Sequence, residues 1–340
     1  MTDDIKDMVE LVEMELIKKQ GNAERCFGMD DKISVVITTY NDEKEIKDLL
    51  DDIFNQSHKP DEIVIADGGS KDNTLDIIQD EQSRSSIKIE LITGKRLNIS
   101  EGLNEAIRNS SYNLIAVMMT GNRYEANFLE ILYEALGQEK MDVVYPPVYS
   151  ENKTKFQITY SKVFMNGDNG TKVPSNHGVL IKRIVFEKIG LFYEKFIYAG
   201  EDTEFFNRAR NINLTMVCVP ETKVTWSSPK DIKSFFKERH NYVIAGLQID
   251  DKEKIYYQYK NNIIILIILV GLCIWKNIPA ICGTALLYIL CVLLKSRKRG
   301  INALALERLK SWYDLFEVIK NFKYMKKEYH VDPKKIPTFQ

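Results

Sequence analysis

The chain has 340 residues, 44% of them hydrophobic, which suits one large domain or two ordinary ones with a true core. Its 47 lysines and arginines balance 48 aspartates and glutamates for a net charge of −1, so no global field draws it to nucleic acid, and that partner class is set aside. The cysteines, Cys26, Cys218, Cys273, Cys282 and Cys291, are scattered, with neither a disulfide framework nor zinc-ligand spacing.

Residues 1–31 form a first segment, in which Met8, Leu11, Val12, Leu16 and Ile17 recur at helical spacing and predict a surface or docking helix over 3–20. This charged start lacks an apolar core followed by a small-residue cleavage site, so no secretory signal is expected and the N-terminal part is expected to stay in the cytoplasm. Over 32–247, β-branched runs at 34–37, 62–66, 87–92, 113–119 and 142–145 read as strands. Amphipathic stretches at 43–55, 73–80, 100–109 and 125–137 read as helices between them. That alternation predicts an α/β fold, a mostly parallel sheet covered by helices on both faces, with ligands at the carboxyl ends of its strands.

A third segment, 248–299, carries apolar runs at 263–275 and 278–294 separated by Lys276-Asn277. At about 1.5 Å per residue they reach roughly 20 and 26 Å against a hydrocarbon core of about 30 Å, which predicts a shallow or re-entrant two-helix membrane hairpin. Lys295, Arg297, Lys298 and Arg299 after the second run put both flanks on the cytoplasmic side. The alternative is a buried helical pair in a soluble protein. In the last segment, 300–340, Leu304, Leu309, Trp312, Phe316 and Ile319 lie among lysines, as in an amphipathic helix. It lies at a membrane interface or packs on the preceding domain, and periodicity does not separate the two.

The chemistry-bearing residues sit at strand ends. The first strand runs into Thr38-Thr39-Tyr40-Asn41, whose hydroxyls and planar ring suit a base and its ribose. The second ends in Asp67-Gly68-Gly69-Ser70-Lys71-Asp72, where glycines permit a tight turn and close ligand approach, and Asp67 can accept hydrogen bonds from a base or ribose. Asp72 reads as a cap of the helix that follows. Further on, Gly200-Glu201-Asp202-Thr203-Glu204-Phe205 is an acidic cluster, either a helix N-terminus stabilised by its dipole or an acid aimed into a cleft.

These three motifs, in this order and spacing, resemble the family 2 glycosyltransferases of GT-A fold over about residues 32–246. The resemblance implies that Thr38, Tyr40, Asn41, Asp67 and Ser70 line a nucleotide pocket, that Asp202 is the catalytic base, and that Glu201 positions the acceptor or the base. An inverting transfer needs such a carboxylate to take the proton of the attacking hydroxyl. Lys95, Arg96 and Asn98 fall where the family touches the nucleotide or its phosphates, and His177 lies on its acceptor side. Trp226, Arg239 and His240 fall in the segment that closes over the diphosphate in membrane-linked relatives.

One departure is plain. Where the family has Asp-any-Asp to hold a cation on the diphosphate, this chain has Thr120-Gly121-Asn122, and a hydroxyl and an amide bind Mg²⁺ or Mn²⁺ only through neutral oxygens. Three outcomes stay open: a cation held mainly by phosphates and Asn122, metal-free transfer with Lys95, Arg96 or Arg123 offsetting the charge, or lost catalysis. The expected function is inverting transfer of a hexose or N-acetylhexosamine from a nucleoside-diphosphate sugar, UDP favoured, to a lipid-linked or glycan acceptor at the cytoplasmic membrane face. The second reading is a non-catalytic GT-A-like protein that binds nucleotide-sugar or a partner glycosyltransferase.

Overall fold

β-Branched runs buried on both faces make the central sheet of this computed structural model, which describes residues 32–137, 141–249, 252–274, 283, 301–326 and 328–339. Its strands are β1 (Ile33–Thr39), β2 (Glu62–Asp67), β3 (Lys88–Ile92), β4 (Leu114–Val117), β6 (Val143–Tyr145), β8 (Val179–Lys182) and β9 (Met216–Cys218). They lie in the order β3-β2-β1-β4-β8-β6-β9. β3, β2, β1 and β4 are parallel, and β8 runs antiparallel to both of its neighbours. A smaller sheet of β5 (Asn122–Tyr124), β10 (Val224–Trp226) and β7 (Val148–Ser150) stands beside it. The expected α/β sheet is therefore present. The three-residue strands of the small sheet are too short to carry a period and were not expected.

The helices are α1 (Ile46–Phe54), α2 (Thr74–Arg84), α3 (Ile99–Asn109), α4 (Phe128–Leu136), α5 (Lys155–Phe164), α6 (Arg183–Ile189), α7 (Glu201–Asn211), α8 (Ile232–Ile249), α9 (Lys252–Ile274) and α10 (Ile301–Lys320). Strand alternation divides the core in two. Val35 and Ile37 of β1 pack with Leu49, Ile53, Ile78 and Leu132 of α1, α2 and α4, while Val36 packs with Leu103, Phe186 and Phe205 of α3, α6 and α7. The Phe205 ring lies tilted 4.6 Å from that of Phe192 and 5.3 Å from that of Phe186. Truncating one such buried ring costs about 3–5 kcal/mol, enough to fix the start of α7 in the core.

α8, α9 and α10 meet in a third cluster of Val243, Leu247, Ile255, Tyr259, Leu315 and Val318. Of the two placements open for the last amphipathic segment, α10 shows packing: Asp314, fully buried, takes a bidentate ion pair from Arg239 of α8 at 2.9 and 3.0 Å. Residues 328–339 then return to the central sheet's loops. Leu191 donates its N–H to the carbonyl of Pro337 at 2.8 Å, and Gln248 donates to Tyr329 O and Lys195 O while accepting from Ile197 N.

Among the described residues no helix is long and apolar enough to cross a membrane. α9 carries most of the first apolar run, with Ile264, Ile267 and Val270 exposed. Apart from Gly283, the second run, 278–294, lies outside the described residues, as do its basic flank and the helix expected over 3–20.

Candidate active site

In the order β3-β2-β1-β4 the connection reverses between β1 and β4, and open α/β sheets hold ligands outside that point. The two strand ends are joined there by side chains. Asp42, just past β1, accepts at Oδ2 from the hydroxyls of Thr39 (2.9 Å) and Thr120 (2.8 Å) and from the N–H of Tyr40 (3.3 Å). The neighbouring β2 turn is built around Asp67, 1% exposed, whose carboxylate accepts from the N–H groups of Gly69 and Ser70 at 2.9–3.2 Å. Gly68 is obligatory by contact, since a Cβ there meets the Leu97 carbonyl at 2.8 Å, and Gly69 by its φ of +90°. Asn41, itself at φ 54°, is stitched to this turn: its N–H donates to the Ser70 hydroxyl, and its amide oxygen accepts from Lys71 N.

The second half of the site comes from α7. Gly200, at φ +107°, lies so close to α8 that a Cβ would meet the Ala245 side chain at 2.9 Å. That left-handed step turns the chain into α7 with Glu201 and Asp202 at its first positions. Both line a cavity of about 500 Å³ together with Thr120, Asn122, Asn176 and His177, so the acid pair and the β4 end share one cleft. Asp202 accepts at Oδ1 from the N–H (2.6 Å) and hydroxyl (3.2 Å) of Thr203. Glu201 is only 8% exposed and accepts from the Asn176 amide at 3.2 Å. Burial, then the Asp202 charge beside it, pushes Glu201 up to about 8. Buried beside the Asp202 charge, Glu201 keeps its proton at neutral pH.

His177 sits across the cleft with its ring 4.9 Å from Trp226 and its Nδ1 2.9 Å from Asn122 Oδ1. Burial pushes the imidazole down, opposed by the Asp202 charge. Asn122 is 3% exposed, and its amide nitrogen donates to the carbonyls of Met119 (3.1 Å) and Thr120 (3.4 Å).

The chain is similar to known glycosyltransferases. The glycosyl transferase family 2 model matches residues 34–202, from β1 to Asp202. Residues 34–202 are thus similar to family 2 glycosyl transferases. The chain is 30% identical over 146 residues to the glycosyltransferase GlyA of Streptococcus pneumoniae, covering 41% of this chain but only 21% of GlyA. It is 25% identical over 237 residues, 64% of this chain and 74% of the relative, to the dolichyl N-acetyl-alpha-D-glucosaminyl phosphate 3-beta-D-2,3-diacetamido-2,3-dideoxy-beta-D-glucuronosyltransferase of Methanococcus voltae. The fold is shared with the mannosyltransferase PcManGT of Pyrobaculum calidifontis, solved in complex with GDP-Man and Mn²⁺, at a TM-score of 0.64 and 16% identity over 93% of this chain and 95% of that one.

The expected ligands divide. Glu201, Asp202, His177 and Asn122 face the common cavity, and Tyr40, 51% exposed, stands open at the end of β1. Arg96 is exposed beside the Gly69 turn. Other expectations are corrected. Thr38 points under α3, where Gly102 has no Cβ because the Thr38 hydroxyl fills that space. Asn98 is the N-cap of α3, its oxygen accepting from Glu101 N and its amide donating to Glu194 O. Lys95 pairs with Glu105, and Arg123 forks onto Asp52 of α1 at 2.6 and 2.8 Å. Arg239 and His240, expected at the phosphates, turn the other way to Asp314 and Glu317 of α10, and Trp226 packs behind His177 rather than lining the cavity.

Three participants were not expected from the sequence: Asp42, Asn176 and Tyr242, the last two lining the cavity. Asp42 and Asn176 had a signal, each being the polar neighbour of a motif residue. Tyr242 had none. The cation expectation fares poorly: among the described residues no cluster of three or more histidine, cysteine, aspartate or glutamate side chains is placed to hold a metal. At the expected position the Thr120 hydroxyl and the Asn122 amide are both bonded within the protein. The donor set there does not fit a hard divalent cation.

Proposed function

We propose that the chain is an inverting glycosyltransferase that moves a sugar from a nucleoside-diphosphate sugar, UDP-sugar in the first instance, to a lipid-linked or glycan acceptor at the cytoplasmic face of a membrane. The observation that carries this reading is the meeting of Asp202 with the β4 end in one cavity, the β4 end being tied to that of β1 through Thr120 and Asp42. Asp202 is oriented through Oδ1 by Thr203, leaving Oδ2 to take the proton of an acceptor hydroxyl as its oxygen attacks the anomeric carbon and the nucleoside diphosphate departs. Glu201, holding its proton, is a hydrogen-bond donor beside it rather than a second base. The names of the relatives agree with sugar transfer, and PcManGT binds a nucleotide sugar. A hexose or N-acetylhexosamine is the sugar we favour.

Membrane attachment is supported by exposed Ile264, Ile267 and Val270 on α9 and exposed Phe316, Ile319 and Phe322 at the end of α10, apolar surface of a kind that marks interaction sites. Tethering raises the effective concentration of a membrane-borne acceptor. The test is transfer from a panel of labelled UDP- and GDP-sugars to membrane extract, read as labelled product and released nucleoside diphosphate. Absence of both with a folded chain overturns the reading. The second reading, a non-catalytic nucleotide-sugar-binding scaffold that works with a partner glycosyltransferase, draws on the same observation that spoils the cation site: Thr120 and Asn122 in place of carboxylates.

A further inference from the structure

Asn122 is fixed by its surroundings. Its amide nitrogen faces two backbone carbonyls, Met119 O and Thr120 O, which only accept, so the side-chain oxygen must be the atom facing His177 Nδ1 at 2.9 Å. An amide oxygen only accepts as well, so Nδ1 carries the ring proton, and the other nitrogen, Nε2, bears the lone pair in neutral histidine. Nε2 makes no hydrogen bond among the described residues, and the ring lines the cavity that holds Asp202. The residue two positions earlier is engaged too, since the Thr120 hydroxyl donates to Asp42 Oδ2, which already serves Thr39 and Tyr40. The side chains at the expected cation position thus form a closed network whose product is one oriented imidazole.

We infer that the cavity takes its nucleoside-diphosphate donor without a protein-held divalent cation, and that Asn122 is instead a positioning residue that presents His177 Nε2 as a hydrogen-bond acceptor to a sugar hydroxyl. The inference rests on the proposed donor class. The charge of the diphosphate then falls to cations of the chain itself, of which Arg96 stands exposed by the Gly69 turn and Lys254 lines the cavity.

The full chain, freed of metal with EDTA, is titrated by calorimetry with UDP, GDP, UDP-glucose, UDP-N-acetylglucosamine and GDP-mannose, with and without Mn²⁺, and the Mn²⁺ spin resonance is recorded alongside. The expected result is nucleotide affinity no higher with Mn²⁺ than without it, with no change in the Mn²⁺ signal on adding protein in the absence of nucleotide. His177→Ala and Asn122→Ala should each lose roughly three- to tenfold in affinity for the sugar nucleotide that binds best, as one neutral hydrogen bond would. Affinity for the bare nucleoside diphosphate should hold, and His177→Gln should recover part of the loss. Melting curves confirm that each variant is folded. Binding that needs Mn²⁺ and alters its signal overturns the inference while leaving the proposed function standing. Equal losses for nucleotide and sugar nucleotide, or none, overturn the role of His177. Failure of every nucleotide to bind in either condition removes the proposed function and the inference together.

Discussion

The hydroxyl of Thr120 donates to Asp42 Oδ2 at 2.8 Å, fastening the carboxyl end of β4 to that of β1 across the point where the sheet's connections reverse. Thr120→Val keeps the shape and removes one bond of three to that oxygen, and should cost about 1 kcal/mol. Asp42→Ala strips the hub and should cost about 2–3 kcal/mol and weaken nucleotide binding. Urea denaturation together with calorimetric titration reads both.

Asp202→Asn should lower turnover by about 10²- to 10⁴-fold, the usual worth of a positioned general base, with nucleotide affinity nearly unchanged. Steady-state release of nucleoside diphosphate measures the first and calorimetry the second. Unchanged turnover would remove Asp202 as the base, and nucleotide binding without turnover in the parent would favour the scaffold reading.

Glu201 is pushed up to about 8 and Glu238, buried beside Tyr160 and Arg239, to about 7, in both cases by burial first. Between the ordinary glutamate value of 4.5 and these raised ones, the folded chain binds protons the unfolded chain has released. Each group's contribution to stability therefore falls as pH rises through that window and levels off above it. Glu201→Gln and Glu238→Gln each remove one such contribution, so stability relative to the parent should improve from about pH 5 to about pH 8 for the first and to about pH 7 for the second. Melting temperatures across that range give the difference directly.

Asp314→Ala leaves the Arg239 guanidinium and Lys310 without their buried partner and should cost about 3–5 kcal/mol. Because Arg239 faces α10 and not the cleft, the folded fraction should bind UDP as the parent does. A large loss of nucleotide affinity in that fraction would return Arg239 to the phosphates.

Much of this was legible in residue order. Runs such as Ile63-Val64-Ile65 announce buried parallel strands, Asp67-Gly68-Gly69 a turn that only glycine can make, and Gly200-Glu201-Asp202 an acid pair at a helix start, because each signal is local. The misassigned residues had partners far away. Arg239 and His240 look like free cations until Asp314 and Glu317, 75 and 77 positions on, are folded against them. Asn98 erred the other way: Asn98 followed by Glu101 is a capping box written in the sequence, eclipsed by the expectation of a ligand. Asn122 shows a third case, in which residue identity signalled a lost function and only geometry revealed what it now holds.

The hydrogen bond from Leu191 to Pro337, and those from Gln248 to Lys195 and Tyr329, bear on how this protein is made and handled. The contacts of Pro337 and Tyr329 form only once residues 329–337 have been synthesised, after every strand of the sheet. A fragment cut before α9 to remove apolar sequence would keep every recognisable motif and lose the buckle that closes them. A shorter version suited to crystallisation or assay should keep the start of α9, with Lys254, Ile255 and Tyr259, along with the closing residues.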